Sequence, residues 1–254
     1  MISDEPTIET IDQAIAALDA EIDRFVVTKD PCGYFAIVYR EVTARVRDGI
    51  AADEFDDGER MERFDVLFAR RYLDAAAGWR AGEEIPAVWR VAFETGASRR
   101  HLAAQHLLLG VNAHINLDLG IAAAQATEVG DVEALRDDFE RINEVLAEMV
   151  DRMQRAISTV SFSARAIDVV GLRLDETLVT FSLRHARSAA WDFASDLSGQ
   201  PTERRAELVA ERDREMTEMA RRIARPGWPL RWIVAIARIR ERHDLGRVVA
   251  EMAR

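Results

Sequence analysis

Cysteine is nearly absent from this sequence, since Cys32 is the only one in 254 residues. A single thiol excludes an intrachain disulfide and any zinc or iron–sulfur site built from several thiolates. The N-terminal stretch MISDEPTIET lacks the basic and apolar regions of a secretory signal, and no uncharged apolar run of about 18 residues occurs. We therefore expect a soluble cytoplasmic protein without stable membrane insertion.

Positive charge is also scarce, with 34 Lys and Arg against 45 Asp and Glu, a net charge of −11. This balance argues against nonspecific binding to the nucleic-acid backbone. The C-terminal quarter is rich in arginine, but glutamates at helical spacing neutralise much of it, namely Glu207, Glu211, Glu215 and Glu218. The expected partner is a small-molecule substrate or ligand rather than nucleic acid, and charge does not choose between monomer and dimer.

Glycine and proline are few, at 13 and 6, and alternating β-branched runs are almost absent. Most of the chain consists of helix-favouring residues with helical apolar spacing, and 48% hydrophobic content supplies a core. We predict an all-α, single-domain bundle of about eight to ten helices over residues 1–254. Residues 202–254 are an alternative C-terminal subdomain.

Apolar periodicity and helix-breaking residues set the predicted helix boundaries. The predicted helices are Thr7–Val26, Tyr34–Ile50, Glu59–Gly78, Ala87–Thr95, Arg100–Ala124, Asp131–Ala156, Glu176–Leu197 and Thr202–Arg225. One or two terminal helices follow, with Trp228 and Trp232 as packing anchors. The acidic turn AADEFDDGE is predicted to cap a helix, because Phe55 and Phe64 fall where a calcium loop needs oxygen ligands.

One apolar stretch, HLLLGVNAHINLDLGI at His106–Ile121, carries unusual polar residues. At about 100° per residue, His106, His114 and Asp118 share one face of a helix. Asn112 and Asn116 lie on the opposite face with His101 and Gln105, and apolar residues fill the remaining sectors. This pattern predicts a central helix over residues 100–124, surrounded by protein.

The first polar face is open to three interpretations. Buried Asp118 needs a cation, a metal or several donors. His114 and Asp118, one turn apart, could bind one divalent metal together with His106, and zinc, iron or manganese would suit such ligands. The alternatives are a hydrogen-bonded structural pair and a metal-free acid/base site. Gly110, between the histidines, indicates close packing of another helix or a ligand.

Several other polar residues are candidates for the same site. Asp65 and Glu62 could act as a ligand or general base, or remain at the boundary of the core. They lie at the edge of a stripe predicted to be buried, formed by Met61, Phe64, Phe68 and Tyr72. Asp138 and Asn143 could also contribute polar groups to the site. The alternative is that both lie on the protein surface. Arg184 and Arg187 suit either anion binding or cation–π packing on Trp191. Asn112 and Asn116 could contact substrate or hydrogen-bond to another helix.

The stretches RMERFDVLFARRYLDA, QHLLLGVNAHINLDLGIA, DFERINEVL and RHARSAAWDFA resemble an uncharacterised microbial family of all-helical proteins. That resemblance implies a shared fold and little biochemistry. LLLGVNAHINLDLG is more distantly similar to the Gly-x-x-x-His-x-x-x-Asp helix of zinc-dependent phospholipases C and single-strand nucleases. Gly110, His114 and Asp118 match it, which implies zinc ligation by His114 and Asp118. Only His185 and His243 follow the motif, whereas that superfamily uses several further histidines.

Three functions follow as hypotheses from these residues. The first is a metal-dependent hydrolase in which a metal-bound water is the nucleophile. The resemblance to the zinc-dependent phospholipases C and nucleases implies phosphoesters as its substrates. Its metal ligands would be His106, His114 and Asp118, and Asp65 or Glu62 would be the catalytic base. The second is a non-catalytic helical protein that binds a small apolar ligand or only packs its helices. The third is a metal-free cyclase or isomerase with Asp118 as acid.

Overall fold

The computed structural model describes residues 8–98, 101–127, 131–146, 176–228, 238 and 244–252, with the backbone alone for 176–182. Every regular element within these ranges is helical, which confirms the all-α prediction. The helices are α1 (Ile11–Thr28), α2 (Gly33–Ala51), α3 (Gly58–Ala81), α4 (Ala87–Gly96), α5 (Ala103–Ala113), α6 (Leu119–Ala126), α7 (136–146), α8 (Glu176–Leu197), α9 (Thr202–Ala224) and α10 (Leu245–Met252).

Side-chain caps explain where several helices begin. The Thr10 side chain accepts a hydrogen bond from the Gln13 backbone N–H, and the Gln13 side chain accepts one from the Thr10 backbone N–H. Because of this cap, α1 starts later than its predicted start at Thr7. Asp57 accepts from the Arg60 N–H at 2.9 Å at the start of α3. The acidic turn is therefore a helix cap, as the sequence predicted.

Asp138 completes that cap from a distant part of the chain. Its carboxylate is fully buried and accepts from the Asp56 N–H at 2.6 Å and from the Arg60 guanidinium at 2.9 Å. The surface position that was one alternative for Asp138 is wrong, because the start of α3 supplies several donors. Asp138 thus fixes α7 to α3.

The central stretch forms two α-helices, α5 and α6, joined by a π-helical turn over His114–Asp118. α5 packs against α2, α4 and α9, while α6 packs against α3 and α8. Among the described helices, Ala103–Ala126 is long and apolar enough to cross a membrane, but 83% of its most apolar window is buried in the fold. The prediction of a buried central helix is confirmed.

Glycine at position 110 allows α2 to approach the central helix closely. A Cβ atom there would lie 2.3 Å from Cγ of Phe35. Real atoms cannot approach so closely, so Gly110 serves helix packing, as the sequence indicated. Phe35 in turn contacts Tyr72 and His114 edge-on.

α9 joins the bundle through backbone and side-chain hydrogen bonds. Asp213 accepts from the N–H groups of Ala87 and Val88 at 2.8 and 2.9 Å, capping α4, whose N-cap residue Pro86 offers no side-chain acceptor. Beyond α9, Trp228 is 76% exposed, so its predicted role as a packing anchor is wrong. Trp232, His243 and the predicted helix beyond residue 146 lie outside the described residues.

Candidate functional site

The polar site begins at the π-helical turn. The Leu119 N–H donates to the His114 carbonyl, five residues back, where an α-helix would bond four residues back. The constant rotation of about 100° per residue that an α-helix has therefore does not hold across His114–Asp118. Such single wide turns are frequent at functional sites.

Asp118 is fully buried and its carboxylate accepts three hydrogen bonds. The donors are Nε of Arg71 at 2.9 Å, Nε1 of Trp89 at 2.8 Å and Nδ1 of His114 at 3.2 Å. The Arg71 guanidinium balances its charge. These partners answer the requirement that a buried carboxylate be paired.

His114 is a neutral, Nδ1-protonated imidazole in this arrangement. Burial lowers the pKa of His114, and the bond to Asp118 only partly opposes that effect. Because the Asp118 carboxylate can only accept, the His114 proton lies on Nδ1 and Nε2 carries the free lone pair. Nε2 is buried and meets no hydrogen-bond partner among the described residues. The ring stacks on Phe68, with centroids 3.6 Å apart.

The geometry at Asp118 favours a hydrogen-bonded pair over a metal centre. A cation bound to His114 and Asp118 would compete with Arg71 and Trp89 for the same carboxylate oxygens. His106 is buried beside His101, with ring centroids 5.8 Å apart. It precedes His114 by eight residues, about 12 Å of helical rise. Across the described ranges, no His, Cys, Asp or Glu side chains form a metal-binding group of three.

A cavity of about 160 Å³ lies beside His114, enclosed by α2, α3, α5 and their neighbours. Its wall is almost entirely apolar, and includes Val38, Val42, Val46, Phe68, Leu107 and Val111. Leu108, also in the wall, is 51% exposed, so one end of the cavity lies near the protein surface. Four side chains with polar groups interrupt the apolar lining: Tyr39, through its hydroxyl, Asp65, His114 and Arg187.

Asp65 lines the cavity and is only 4% exposed. Burial raises the pKa of Asp65 to about 7, and the charge of Glu62 adds to the effect. Its Oδ2 atom has no hydrogen-bond partner in the part of the chain that the structure describes. Asp65 is therefore protonated in a large fraction of molecules at neutral pH.

Glu62 has a different position from Asp65. Its Oε1 atom accepts a hydrogen bond from the Ile11 N–H at 3.1 Å and so caps the start of α1. Glu62 is not among the residues that line the cavity. The geometry gives it a capping role in place of the catalytic role considered from the sequence.

Arg187 is 2% exposed and also lines the cavity. Nε donates to Oδ1 of Asn143 at 2.7 Å, and Nη2 donates to the Phe139 carbonyl. The guanidinium lies 4.3 Å from the centroid of the Phe139 ring, so the predicted stacking on Trp191 is wrong for Arg187. Arg136 stacks on Trp191 instead. Burial lowers the pKa of Arg187 to about 9.

Arg184 does not pair with Arg187 at this site. It is exposed, and it is not among the residues that line the cavity. The predicted arginine pair is thus reduced to one buried arginine.

Asn112 and Asn116 lie against α9 rather than in the cavity wall. Asn112 donates to the Met216 carbonyl at 3.0 Å, and Asn116 donates to Asn112 at 3.1 Å. Gln105 donates to the Ile223 carbonyl at 2.8 Å. This second polar face therefore docks a neighbouring helix, the alternative to substrate contact that the sequence left open.

Sequence reasoning missed two partners of Asp118. Arg71 follows Phe64 by seven residues and Phe68 by three, so its helical spacing could have placed it beside the buried stripe. Trp89 precedes Asp118 by 29 residues on another helix. No local pattern predicts a contact of that kind.

The fold and site together define an all-helical bundle with a buried His–Asp pair beside an apolar cavity. Residues 11–226 match a family described as a family of unknown function, DUF5995, and the chain belongs to that family. This confirms the expected membership in an uncharacterised helical family. No curated protein matches the chain, and no solved structure does.

Proposed function

We propose that this protein binds a small, largely apolar molecule in the cavity beside His114. The observation that carries the proposal is a preformed apolar space of about 160 Å³ whose wall contains buried polar atoms that have no hydrogen-bond partner among the described residues. Small-molecule sites commonly combine an apolar lining with a few fixed polar groups.

The volume of the cavity limits the size of the ligand. An apolar cavity of about 150 Å³ in another protein accommodates benzene. A cavity of about 160 Å³ therefore suits a single six-membered ring with one small substituent. A long lipid chain or a nucleotide does not fit this space.

The polar atoms in the wall would set the orientation of the ligand. Nε2 of His114 can accept a hydrogen bond from a hydroxyl or an N–H group. Protonated Asp65 can donate one through Oδ2, which has no hydrogen-bond partner in the part of the chain that the structure describes. These contacts would satisfy groups whose burial is otherwise costly.

Calorimetric titration with benzene tests the proposal. We expect saturable binding by the wild-type protein, and much weaker binding by Val42→Phe, whose added ring occupies the cavity. Val27→Phe is the matched control, because Val27 is 81% exposed on α1 and is not among the residues that line the cavity. Circular dichroism establishes that each variant is folded. Equal benzene affinity in all three proteins, or no binding by the wild type, would contradict the proposal.

A second candidate function is metal-free acid/base catalysis in the same cavity. His114 has a lowered pKa, and its Nε2 has no partner among the described side chains and backbone groups, while Asp65 has a raised pKa. This is the pattern of a base and an acid whose pKa values are set apart by their surroundings. The hydrogen bonds to Asp118 argue against its expected role as the acid and make it an orienting group for His114.

Acetophenone offers a test of that candidate, because it is ring-sized and has C–H groups beside a carbonyl. His114 would remove the methyl proton while Asp65 hydrogen-bonds to the oxygen, and reprotonation in D₂O would exchange hydrogen for deuterium. We expect exchange faster than in buffer, and its loss in His114→Phe. An unchanged exchange rate with wild-type protein counts against this candidate.

A metal-dependent hydrolase, the first hypothesis from the sequence, is the less favoured alternative. It requires His114 and Asp118 to bind zinc, iron or manganese after Arg71 and Trp89 release the carboxylate. Metal analysis of the purified protein tests it. Stoichiometric metal that is lost in a folded His114→Ala variant would support this alternative.

A further inference from the structure

Arg187 is a buried cation without a countercharge among the described residues. It is 2% exposed, and its two hydrogen bonds go to neutral acceptors, the Asn143 side chain and the Phe139 carbonyl. Buried charges in proteins are normally paired or bound to a ligand. Arg187 also lines the cavity, so a bound molecule could supply the missing charge.

Asp65 does not supply that charge, although it lines the same cavity. No ion pair joins the two side chains, and burial alone lowers the pKa of Arg187. Asp65 can relieve its own burial by taking up a proton, since its pKa is about 7. Arg187, with a pKa of about 9, remains charged at neutral pH.

The guanidinium also retains unused donors. Arginine has five N–H groups in a planar fork that matches a carboxylate. Nε and Nη2 each make one hydrogen bond to the described residues. Contact with the Phe139 ring on one face holds the guanidinium in place, and so prepares it to bind an anion.

We infer that the ligand is an aromatic carboxylate, with its ring in the apolar cavity and its carboxylate on Arg187. This inference rests on the proposed binding function and adds the chemical class of the ligand. A purely structural role for Arg187, joining α8 to α7, explains the bonds to Asn143 and Phe139. It does not explain why a charged group is placed in the wall of an apolar cavity.

The test compares benzoate with toluene, which has nearly the same shape and no charge. For wild-type protein we expect benzoate to bind roughly tenfold more tightly or better. Arg187→Met should remove that preference while toluene binding persists. Arg184→Met is the matched control, because Arg184 lies exposed on the same helix, and it should behave as wild type.

A readout on the unmodified protein covers the case in which Arg187→Met does not fold. The Nε–H resonance of Arg187, assigned by NMR, should shift much further on adding benzoate than on adding toluene, whose ring lies in the same cavity without a carboxylate. Toluene binding without a benzoate preference, or a benzoate preference that survives in Arg187→Met, would overturn the inference and leave the proposed function intact. Failure of both compounds to bind would instead reject the proposed function.

Discussion

Buried polar residues in this protein differ in how fully they are paired. Asp118 accepts from Arg71, Trp89 and His114, whereas Oδ2 of Asp65 has no partner in the described part of the chain. The first arrangement stabilises the fold. The second is costly unless the group is protonated or a ligand binds, which is why Asp65 belongs to the proposed site.

Asp118→Ala should destabilise the protein strongly, by about 3–5 kcal/mol, because three donors lose their acceptor and Arg71 loses its partner. Chemical denaturation measures the change in the free energy of unfolding. Asp192→Ala, at an exposed position of α8, should change it by no more than about 0.5 kcal/mol. A loss below about 1 kcal/mol for Asp118→Ala would show that the network contributes little.

Asp65→Asn should remove a pH dependence of stability. The folded-state pKa of Asp65, about 7, lies above its ordinary value of 3.8. Between these values the folded protein holds a proton that the unfolded chain releases, so rising pH lowers stability, by roughly 4 kcal/mol in total. The difference in unfolding free energy between Asp65→Asn and wild type should therefore grow in favour of the variant from pH 4 to pH 8.

Asp192→Asn is the control for that experiment, since its exposed carboxyl is replaced by the same amide. Its difference from wild type should stay nearly constant with pH. If the Asp65→Asn curve runs parallel to the wild-type curve as well, Asp65 is not a buried carboxyl with a raised pKa.

At the scale of helices, apolar spacing and caps predicted most of the boundaries. The predicted start at Ala87 and the predicted span Glu176–Leu197 agree with the structure. The π-helical turn at His114–Asp118 was not predictable, because its sequence is compatible with an ordinary α-helix. Its last residue, Asp118, binds Arg71 and Trp89, which come from other helices.

Gly110→Ala should destabilise the packing of α2 against α5. The new methyl group would meet Cβ and Cγ of Phe35, which are close to the backbone and cannot move aside easily. Overpacking of about 1–3 kcal/mol should exceed the roughly 1 kcal/mol gained in helix propensity. Thermal unfolding should show a lower melting temperature.

Gly246→Ala provides the comparison, because the nearest heavy atom to its added Cβ lies 3.6 Å away. It should leave the melting temperature unchanged or raise it. A Gly110→Ala variant as stable as wild type would mean that α2 does not approach the central helix as closely as described.

For the whole molecule, the sequence predicted the fold class and the buried central helix, but not the cavity. The pair His114 and Asp118 followed from their four-residue spacing. The cavity depends on how Val42, Phe68 and Leu107 from three helices meet, and no local pattern specifies that space. For the same reason the separate position of His106 was not anticipated.

Residues 202–224 should unfold together with the rest of the bundle. α9 caps α4 through Asp213 and binds the central helix through Asn112 and Arg212, so separation would leave buried donors and acceptors unpaired. Differential scanning calorimetry should give one cooperative transition. Two resolved transitions would favour the alternative of a separate C-terminal subdomain.

We propose above that the space beside His114 binds a small apolar molecule. Crystals of the protein held under xenon gas test it most directly, because xenon occupies apolar cavities of this size. We expect a xenon atom between Val42, Phe68 and His114. Xenon found only elsewhere, with side chains filling this space, would contradict it.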